Sequence, residues 1–486
     1  MKHNSLLLAA LGSSALLPAQ ERPNILFICI DDLRTELGAY GCREVISPNL
    51  DRLASEGRLF HSHYVQVPTS GASRACMLTG YQPKTLGAIN NFAFCNSLIG
   101  SAEGEHPETF IHHLRRNGYY TVGMGKVGHS DNGFLYPKGK ERVQELPYSW
   151  DKYARDPNSP WPDKFDAMLH GYDNGRIRRP NGEDPAFEFK DLPDESYPGG
   201  QLANLAMAQI EELAVKGEPF FMAVGFYKPH LPFTAPKKYW DMYDDIDIAL
   251  SPNRDVPAGV PSVFVHDSGE CFNQYKHPER GGRGIVLSDA YSRDMRRAYF
   301  AAITHTDVQV GKVLAKLKET GLDQNTIIIV WGDHGWHLGD QTIWGKHSAF
   351  ERALNSTLIV KMPKMEQRGV STKALVATVD LYPTICELTG IKPPADIDGQ
   401  SFVEQINNPQ ASGRKDVLSY WTNILSLRTD RYRFALHRKD GKDQLMLFDH
   451  QQDPNETRNI ADREPQLVQT FMQRLAELNR GFLPQL

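Results

Sequence analysis

The segment SGASRACMLTG, from residue 70 to residue 80, combines a hydroxyl nucleophile with a fixed positive charge. Ser70 precedes Arg74 by four residues, and small side chains lead into a predicted helix. Backbone N–H groups at a helix N-terminus favour an anion. The pattern predicts a nucleophile beside an anion-binding turn. A serine that only caps the helix would produce the same pattern.

Charged side chains also follow four apolar runs that are typical of buried parallel strands, at 24–30, 120–124, 220–226 and 326–331. In open α/β sheets, ligands bind outside the carboxyl ends of the strands. Each residue alone is explained equally well without a functional site, an Asp as a turn or helix cap and a His as a satisfied surface or core residue. Four strand ends together indicate one site. The residues concerned are Asp31, Asp32, Lys126, His129, Lys228, His230, Asp333 and His334.

Three of these residues predict a metal site. Asp31, Asp32 and Asp333 would repel one another unless a cation lies between them. Carboxylate oxygens favour a hard ion such as Ca²⁺ or Mg²⁺. His334 either coordinates the ion or flanks it, because imidazole favours softer metals.

These residues must be positioned by strand-like runs that alternate with helical stretches. This alternation predicts an α/β domain, with a central, mostly parallel sheet flanked by helices. The clearest helix is predicted over 293–319. The catalytic domain is expected to span 20–405. Residues 406–486 contain strand-like runs at 417–421, 432–437 and 444–448 and a final helix at 464–478, which predict a small α+β subdomain with an antiparallel sheet. The aperiodic stretches 131–200 and 251–284 are expected to be long surface insertions.

Composition and the N-terminus predict where the chain acts. Residues 1–19 have the pattern of a signal peptide, which predicts a periplasmic or secreted protein. No other apolar run reaches the ~20 residues that span a bilayer, so no membrane span is expected. The net charge of −5 shows no basic excess, which argues against a nucleic-acid partner.

The segment 70–80 resembles the signature of the type I sulfatase family, with Ser70 at the nucleophile position and Ala72 where proline is commoner. PNIL and DD within 23–32, DHG at 333–335, and LFD and DPNE within 447–456 resemble further family motifs. GKVGH at 125–129, YKPHLPF at 227–233, DHGW at 333–336 and WGK at 344–346 are most similar to iduronate-2-sulfatases. Choline sulfatases share part of this pattern.

This resemblance implies an alkaline-phosphatase-like fold, a bound Ca²⁺ and oxidation of Ser70 to formylglycine by a sulfatase-maturating radical enzyme. The aldehyde hydrate of formylglycine would attack sulfur. The resemblance also implies a role for each site residue. The metal is held by Asp31, Asp32, residue 70, Asp333 and His334. The acid is His230, assisted by Lys346, the base is His129, and the sulfate is neutralised by Arg74, Lys126 and Lys346.

The expected substrate is the 2-O-sulfate ester of a non-reducing-end hexuronic acid in a heparin, heparan sulfate or chondroitin sulfate oligosaccharide. The strand ends offer more cations than one sulfate needs, and one of them is expected to bind the carboxylate of that sugar: Arg74, Lys126, Lys228 and Lys346, with His337 and His347 nearby. The alternatives are a choline sulfatase or another sulfated-glycan sulfatase, a phosphatase or phosphonate hydrolase, and a glycan-binding protein without turnover. The phosphatases use an unmodified Ser or Thr, often with two zinc ions, and the binding protein would need no intact metal set.

Overall fold

A seven-stranded sheet lies at the centre of the computed structural model, which describes residues 22–87, 89–91, 93, 107–136, 141–180 and 182–479. The signal peptide predicted at 1–19 lies outside these residues. The strands of the sheet are β1 (Asn24–Ile30), β2 (Arg58–Leu59), β3 (Tyr120–Gly125), β4 (Lys152–Tyr153), β5 (Phe220–Phe226), β6 (Thr326–Gly332) and β7 (Leu358–Lys361).

The strands lie in the order β2–β7–β6–β1–β5–β3–β4. Pairing is parallel from β6 to β4, whereas β7 is antiparallel to both of its neighbours. The mostly parallel sheet is therefore confirmed. The four strands predicted from apolar runs are β1, β3, β5 and β6, and they are consecutive neighbours in the sheet, so their carboxyl ends meet at one edge.

Helices cover both faces of the sheet, as predicted. Along β1, Leu26 and Ile28 belong to one apolar cluster and Phe27 to the other, because successive side chains of a strand point to opposite faces. The helices are α1 (Pro48–Glu56), α2 (Ser70–Thr79), α3 (Phe110–Arg116), α4 (Pro198–Lys216), α5 (Asp289–Glu319), α6 (Leu381–Leu388) and α7 (Pro465–Asn479). The first cluster includes α1, α4 and α5, and the second includes α2, α3, α6 and α7.

The predicted C-terminal antiparallel sheet is also confirmed. Its strands are β8 (Val417–Trp421), β9 (Ile424–Arg428), β10 (Tyr432–Lys439) and β11 (Lys442–Asp449), paired in that order. Helix α7 packs on this sheet through Phe471, whose ring lies 5.6 Å from that of Phe434. Both residues belong to the apolar cluster that covers the second face of the central sheet. The domain boundary at residue 405 stays a prediction.

The two aperiodic stretches contain short elements. Phe187–Lys190 pairs in parallel with Phe233–Pro236, and the second stretch contains the helix Gly269–Gln274. Within the described part of the chain, no helix is long and apolar enough to cross a membrane. Apart from 3-10 turns, the other short helices and strands of the described residues are Pro83–Leu86, Lys237–Asp241, Glu351–Leu354, Val403–Asn407, His63–Tyr64, Phe134–Leu135, Val143–Gln144, His337–Leu338, Trp344–Gly345 and Val376–Ala377.

Candidate active site and metal centre

Two neighbouring strands bring together the four residues predicted to bind a metal. Asp31 and Asp32 follow β1, and Asp333 and His334 follow β6. One ligand atom from each lies within 4.8 Å of all the others, and all four residues are buried. Three carboxylates and one imidazole form an oxygen-rich donor set that fits a hard divalent cation.

A tight turn after β1 fixes the first two of these ligands. Asp32 has a φ of 59°, in the left-handed region that Asp adopts more readily than most residues. Its backbone N–H donates to Asp333 Oδ1 at 2.9 Å. The Tyr299 hydroxyl donates to its carbonyl oxygen at 2.6 Å. The turn is thus tied both to the end of β6 and to helix α5.

Helix α2 places Ser70 beside the candidate metal-binding residues. Ser70 is the first residue of the helix, as the sequence predicts. Its Oγ atom lies 3.2 Å from Asp31 Oδ1 and 3.1 Å from His334 Nε2. Residue 70 can therefore both bind an ion held by these side chains and present its oxygen to a substrate.

A close backbone approach explains the glycine that follows Ser70. A Cβ atom at Gly71 would lie 2.4 Å from the Cα atom of Asn91. The Asn91 side-chain oxygen accepts hydrogen bonds from Gly71 N at 2.9 Å and from the Thr69 hydroxyl at 3.0 Å. Asn91 therefore holds the turn that starts α2.

Three buried cations neutralise the three buried carboxylates. The expected repulsion among the acids is relieved by these cations and does not by itself require a metal, so the case for an ion rests on the donor set. Arg74 Nη2 lies 3.0 Å from Asp333 Oδ2 and 3.2 Å from Asp31 Oδ1, Lys126 Nζ lies 2.6 Å from Asp31 Oδ2, and Lys346 Nζ lies 3.0 Å from Asp32 Oδ1.

The charges of these cations also shift the pKa of Asp31. Burial alone raises the pKa of Asp31, but the charges of Lys126 and Arg74 outweigh burial and hold that pKa well below its usual range. Asp31 therefore remains a carboxylate, which is the form that binds a cation.

His129 lies at the edge of the cluster as a neutral imidazole. Burial, followed by the charges of Lys126 and Arg74, holds its pKa well below the ordinary value. Its Nδ1 atom has no hydrogen-bond partner among the described residues. Its backbone N–H donates to Glu145 Oε1 at 2.8 Å, and that of Ser130 donates to the same atom at 2.9 Å. A neutral imidazole of this kind can accept a proton.

His230 is held at both ring nitrogens. Its Nδ1 atom lies 2.6 Å from the carbonyl oxygen of Leu231, and its Nε2 atom lies 3.2 Å from Glu270 Oε1. Burial and the charge of Lys346 lower the pKa of His230, while Glu270 opposes the shift. The His170 ring packs edge-on at 5.4 Å.

The insertions contribute side chains that the sequence did not predict. Glu145 and His170 come from the stretch 131–200, and Glu270 comes from 251–284. Neither stretch has a periodic pattern that would place a particular carboxylate beside a particular histidine. No sequence signal identifies these residues.

Two of the candidates for binding a sugar carboxylate contact other groups of the protein. Lys228 is buried, and its Nζ atom donates to the carbonyl oxygens of Leu169 at 3.0 Å and His230 at 3.1 Å. His337 is buried and lies 2.7 Å from the Ser348 hydroxyl. Both are therefore engaged by other groups of the protein, and neither offers a free charge to a ligand.

His347 stays close to residue 70. Its Nε2 atom lies 3.3 Å from the hydroxyl of Thr69. Its ring stacks on Trp421 of the C-terminal sheet, with 4.6 Å between centroids and 9° between planes. The C-terminal sheet thus contacts, through this aromatic pair, the residue that lies beside Thr69 and Ser70.

The profile of the sulfatase family matches residues 23–391, and that of the C-terminal region of N-sulphoglucosamine sulphohydrolase matches residues 332–481. The chain belongs to the sulfatase family. It is therefore a sulfuric ester hydrolase, and the resemblance to type I sulfatases is confirmed.

Known proteins resemble this sulfatase along most of its length. Iduronate 2-sulfatase from Homo sapiens is 30% identical over 412 residues, which cover 78% of this chain and 71% of the human protein. Two solved structures share its fold. A protein in complex with its substrate D-glucosamine-2-N,6-O-disulfate has a TM-score of 0.72 at 20% identity, covering 94% of this chain and 98% of that one. A 2-O GAG sulfatase has a TM-score of 0.69 at 21% identity, covering 95% and 92%. These likenesses confirm the alkaline-phosphatase-like fold.

Proposed function

We propose that this sulfatase hydrolyses the 2-O-sulfate ester of a hexuronic acid at the non-reducing end of a glycosaminoglycan oligosaccharide. The observation that carries the proposal is the contact of Ser70 with both Asp31 and His334, at the centre of a donor set that fits a hard cation. The similarity to iduronate 2-sulfatase supports the choice of substrate.

Residue 70 supplies the nucleophile in this proposal. A sulfatase-maturating radical enzyme removes two hydrogens from the hydroxymethyl group of Ser70, which gives the aldehyde of formylglycine. The hydrate of that aldehyde offers one oxygen to attack sulfur. A Ca²⁺ ion held by Asp31, Asp32, Asp333 and His334 would lower the pKa of a hydroxyl group on residue 70.

His230 and Lys346 act on the leaving oxygen. Burial and the charge of Lys346 lower the pKa of His230, whereas the Leu231 carbonyl at Nδ1 and the Glu270 carboxylate at Nε2 are both acceptors and favour the ring that carries both protons. Donation of the Nε2 proton to the departing sugar oxygen is worth roughly 10²–10⁴-fold in rate. Lys346 lies beside Asp32 and balances charge on the sulfate, together with Lys126 and Arg74.

His129 removes a proton from the second hydroxyl group of sulfated residue 70, so that sulfate leaves and the aldehyde is restored. Its lowered pKa supports this role, because the base must be neutral before it acts. Lys126, on the same loop, holds Asp31 at 2.6 Å. The loop after β3 thus contains both the base and one of the positive charges that neutralise the sulfate.

The insertions support action on chain ends. Glu145 lies against the backbone of His129, and Glu270 lies against the ring of His230, so both insertions border the site. Walls on two sides favour a terminal sugar over the interior of a polymer. An extracellular or periplasmic location, as the signal-peptide pattern predicts, would give access to such a polymer.

A panel of unsaturated glycosaminoglycan disaccharides tests the substrate. Protein coexpressed with a maturating enzyme should release sulfate from the isomer sulfated only at uronate O2. It should leave isomers sulfated only at hexosamine O6 or N unchanged. Ser70→Ala, which cannot become formylglycine, is the matched control. Preference for a hexosamine isomer, choline sulfate or a phosphonate ester would refute the proposed substrate.

A further inference from the structure

The insertion 251–284 places a carboxylate between the two groups assigned to the leaving oxygen. Glu270 Oε1 lies 3.2 Å from His230 Nε2 and 3.4 Å from Lys346 Nζ. The side chain is 18% exposed, so it lies against these partners with little contact with solvent. The proposed reaction gives this carboxylate no step of its own.

The backbone around Glu270 is tied to residues 344–346, the segment that contains Lys346. Ser268 N–H donates to His266 Nδ1 at 3.0 Å, so a neutral His266 ring carries its proton on Nε2 and donates to the Lys346 carbonyl oxygen at 2.7 Å. The backbone N–H of Trp344 donates to the Ser268 hydroxyl at 2.9 Å. These bonds fix the segment from residue 266 to residue 270 against residues 344–346.

Glu270 controls where the His230 ring points. The Leu231 carbonyl holds Nδ1, and Glu270 holds Nε2. Asp32 Oδ2 is also near Nε2, at 3.8 Å. Without Glu270, Asp32 would be the carboxylate left beside Nε2, and the ring would be drawn from the leaving oxygen towards the metal-binding residues.

We propose that Glu270 is a positioning residue, which orients His230 and Lys346 towards the oxygen that leaves from the sulfate ester. The assignment rests on the acid role of His230 in the proposed function. Glu270 itself touches neither sulfur nor the leaving oxygen. Although burial alone raises its pKa, the charges of Lys346 and His230 outweigh burial and hold that pKa well below its usual range, so the carboxylate stays charged.

A double-mutant cycle between Glu270 and His230 tests the proposal. Glu270→Ala should lower kcat on a sugar sulfate by about 10–100-fold. This loss is part of the roughly 10²–10⁴-fold in rate that a positioned acid contributes. KM should change less than kcat. In the His230→Ala background the same substitution should change kcat by less than about threefold, because the ring that it orients is gone.

The leaving group supplies a second readout. Nitrophenolate leaves without a proton, so Glu270→Ala should lower kcat on 4-nitrophenyl sulfate much less than on a sugar sulfate. Glu270→Gln keeps the shape and one acceptor oxygen, and an intermediate loss is expected. It also replaces Glu270→Ala should that variant fail to fold. Asp267→Asn is the matched control, because it neutralises a carboxylate of the same segment that is 75% exposed.

Three results would overturn the proposal: equal losses on both substrates, additive losses in the double mutant, or no loss in either Glu270 variant. Failure of the substrate assignment can be distinguished from failure of the role proposed for Glu270. Wild-type enzyme would then ignore the 2-O-sulfated disaccharide, and the cycle would run on whichever sugar sulfate of the panel it hydrolyses.

Discussion

The carbonyl oxygen of Lys126 lies directly over Gly225, so a Cβ atom at position 225 would fall 2.1 Å from that oxygen. Strand β5 therefore needs glycine here for the loop after β3 to approach. Lys126 N–H also donates to the Gly225 carbonyl at 2.9 Å. We expect Gly225→Ala to displace the loop that carries Lys126 and His129.

The displacement should affect activity more than stability. Overpacking of this kind costs about 1–3 kcal/mol in the free energy of unfolding. A shift of about 1 Å in a catalytic group costs roughly 10²-fold in rate. Denaturant unfolding and kcat should be measured together, with Gly282→Ala as control, because the nearest atom to a Cβ there is 3.6 Å away. Full activity in Gly225→Ala would mean that the loop adapts freely.

The strand ends were predictable from sequence, because buried parallel strands are apolar runs and polar residues must follow where they reach the edge of the sheet. Strands β1 and β5 have the predicted bounds, and the ligands after β1 and β6 meet as expected. Helix α5 begins at Asp289, earlier than predicted, because the Ser288 side chain caps it by accepting from Tyr291 N.

The remainder of the site depends on contacts between segments that are distant in sequence. Glu270 and His230 are 40 residues apart, and an aperiodic stretch has no register from which their meeting could be derived. Strand β9 is not predicted from the sequence because Ser426 and Arg428 interrupt its apolar residues, although both side chains are buried. Lys228 looked like a free cation, since sequence does not show that its ammonium group binds backbone carbonyls.

Active enzyme should carry formylglycine at residue 70. A serine hydroxyl is a weak nucleophile without an adjacent base, and it cannot expel sulfate by restoring an aldehyde. Peptide mass spectrometry of active protein should show residue 70 lighter by two hydrogens. Ser70→Ala should lose at least about 10³-fold in kcat, the scale seen when a covalent nucleophile is removed. Full activity from protein with unmodified Ser70 would contradict the assignment.

Removal of a bound divalent ion should abolish activity without unfolding the protein. The cations beside Asp31, Asp32 and Asp333 already balance their charge, so the protein without the ion should stay folded. Free ion at about 100 times Kd should add about 2.7 kcal/mol to the free energy of unfolding. Calorimetry before and after chelation measures this, and readdition of Ca²⁺, Mg²⁺ or Zn²⁺ identifies the ion. Two bound zinc ions would favour a phosphatase instead.

His129→Ala and His230→Ala should fail at different steps. Loss of the acid at 230 should be most severe for sugar sulfates, whose alkoxide needs a proton, and mild for aryl sulfates. Loss of the base at 129 should trap an enzyme sulfated at residue 70, which intact mass after rapid quenching would detect. Equal and mild effects of both substitutions would mean that the roles are misassigned.

The pH dependence of sulfate release tests whether the base has a lower pKa than an ordinary histidine. A base acts in its deprotonated form, which predominates above its pKa. Burial, with the charges of Lys126 and Arg74, holds the pKa of His129 well below the usual 6.5, so the ring stays neutral as the pH falls through that value. Single-turnover release of sulfate from sulfated enzyme should therefore stay constant as the pH is lowered from about 7.5 to about 5.5. A decline with a midpoint near 6.5 would show that the base titrates as an ordinary histidine, and this would contradict the lowered pKa of His129.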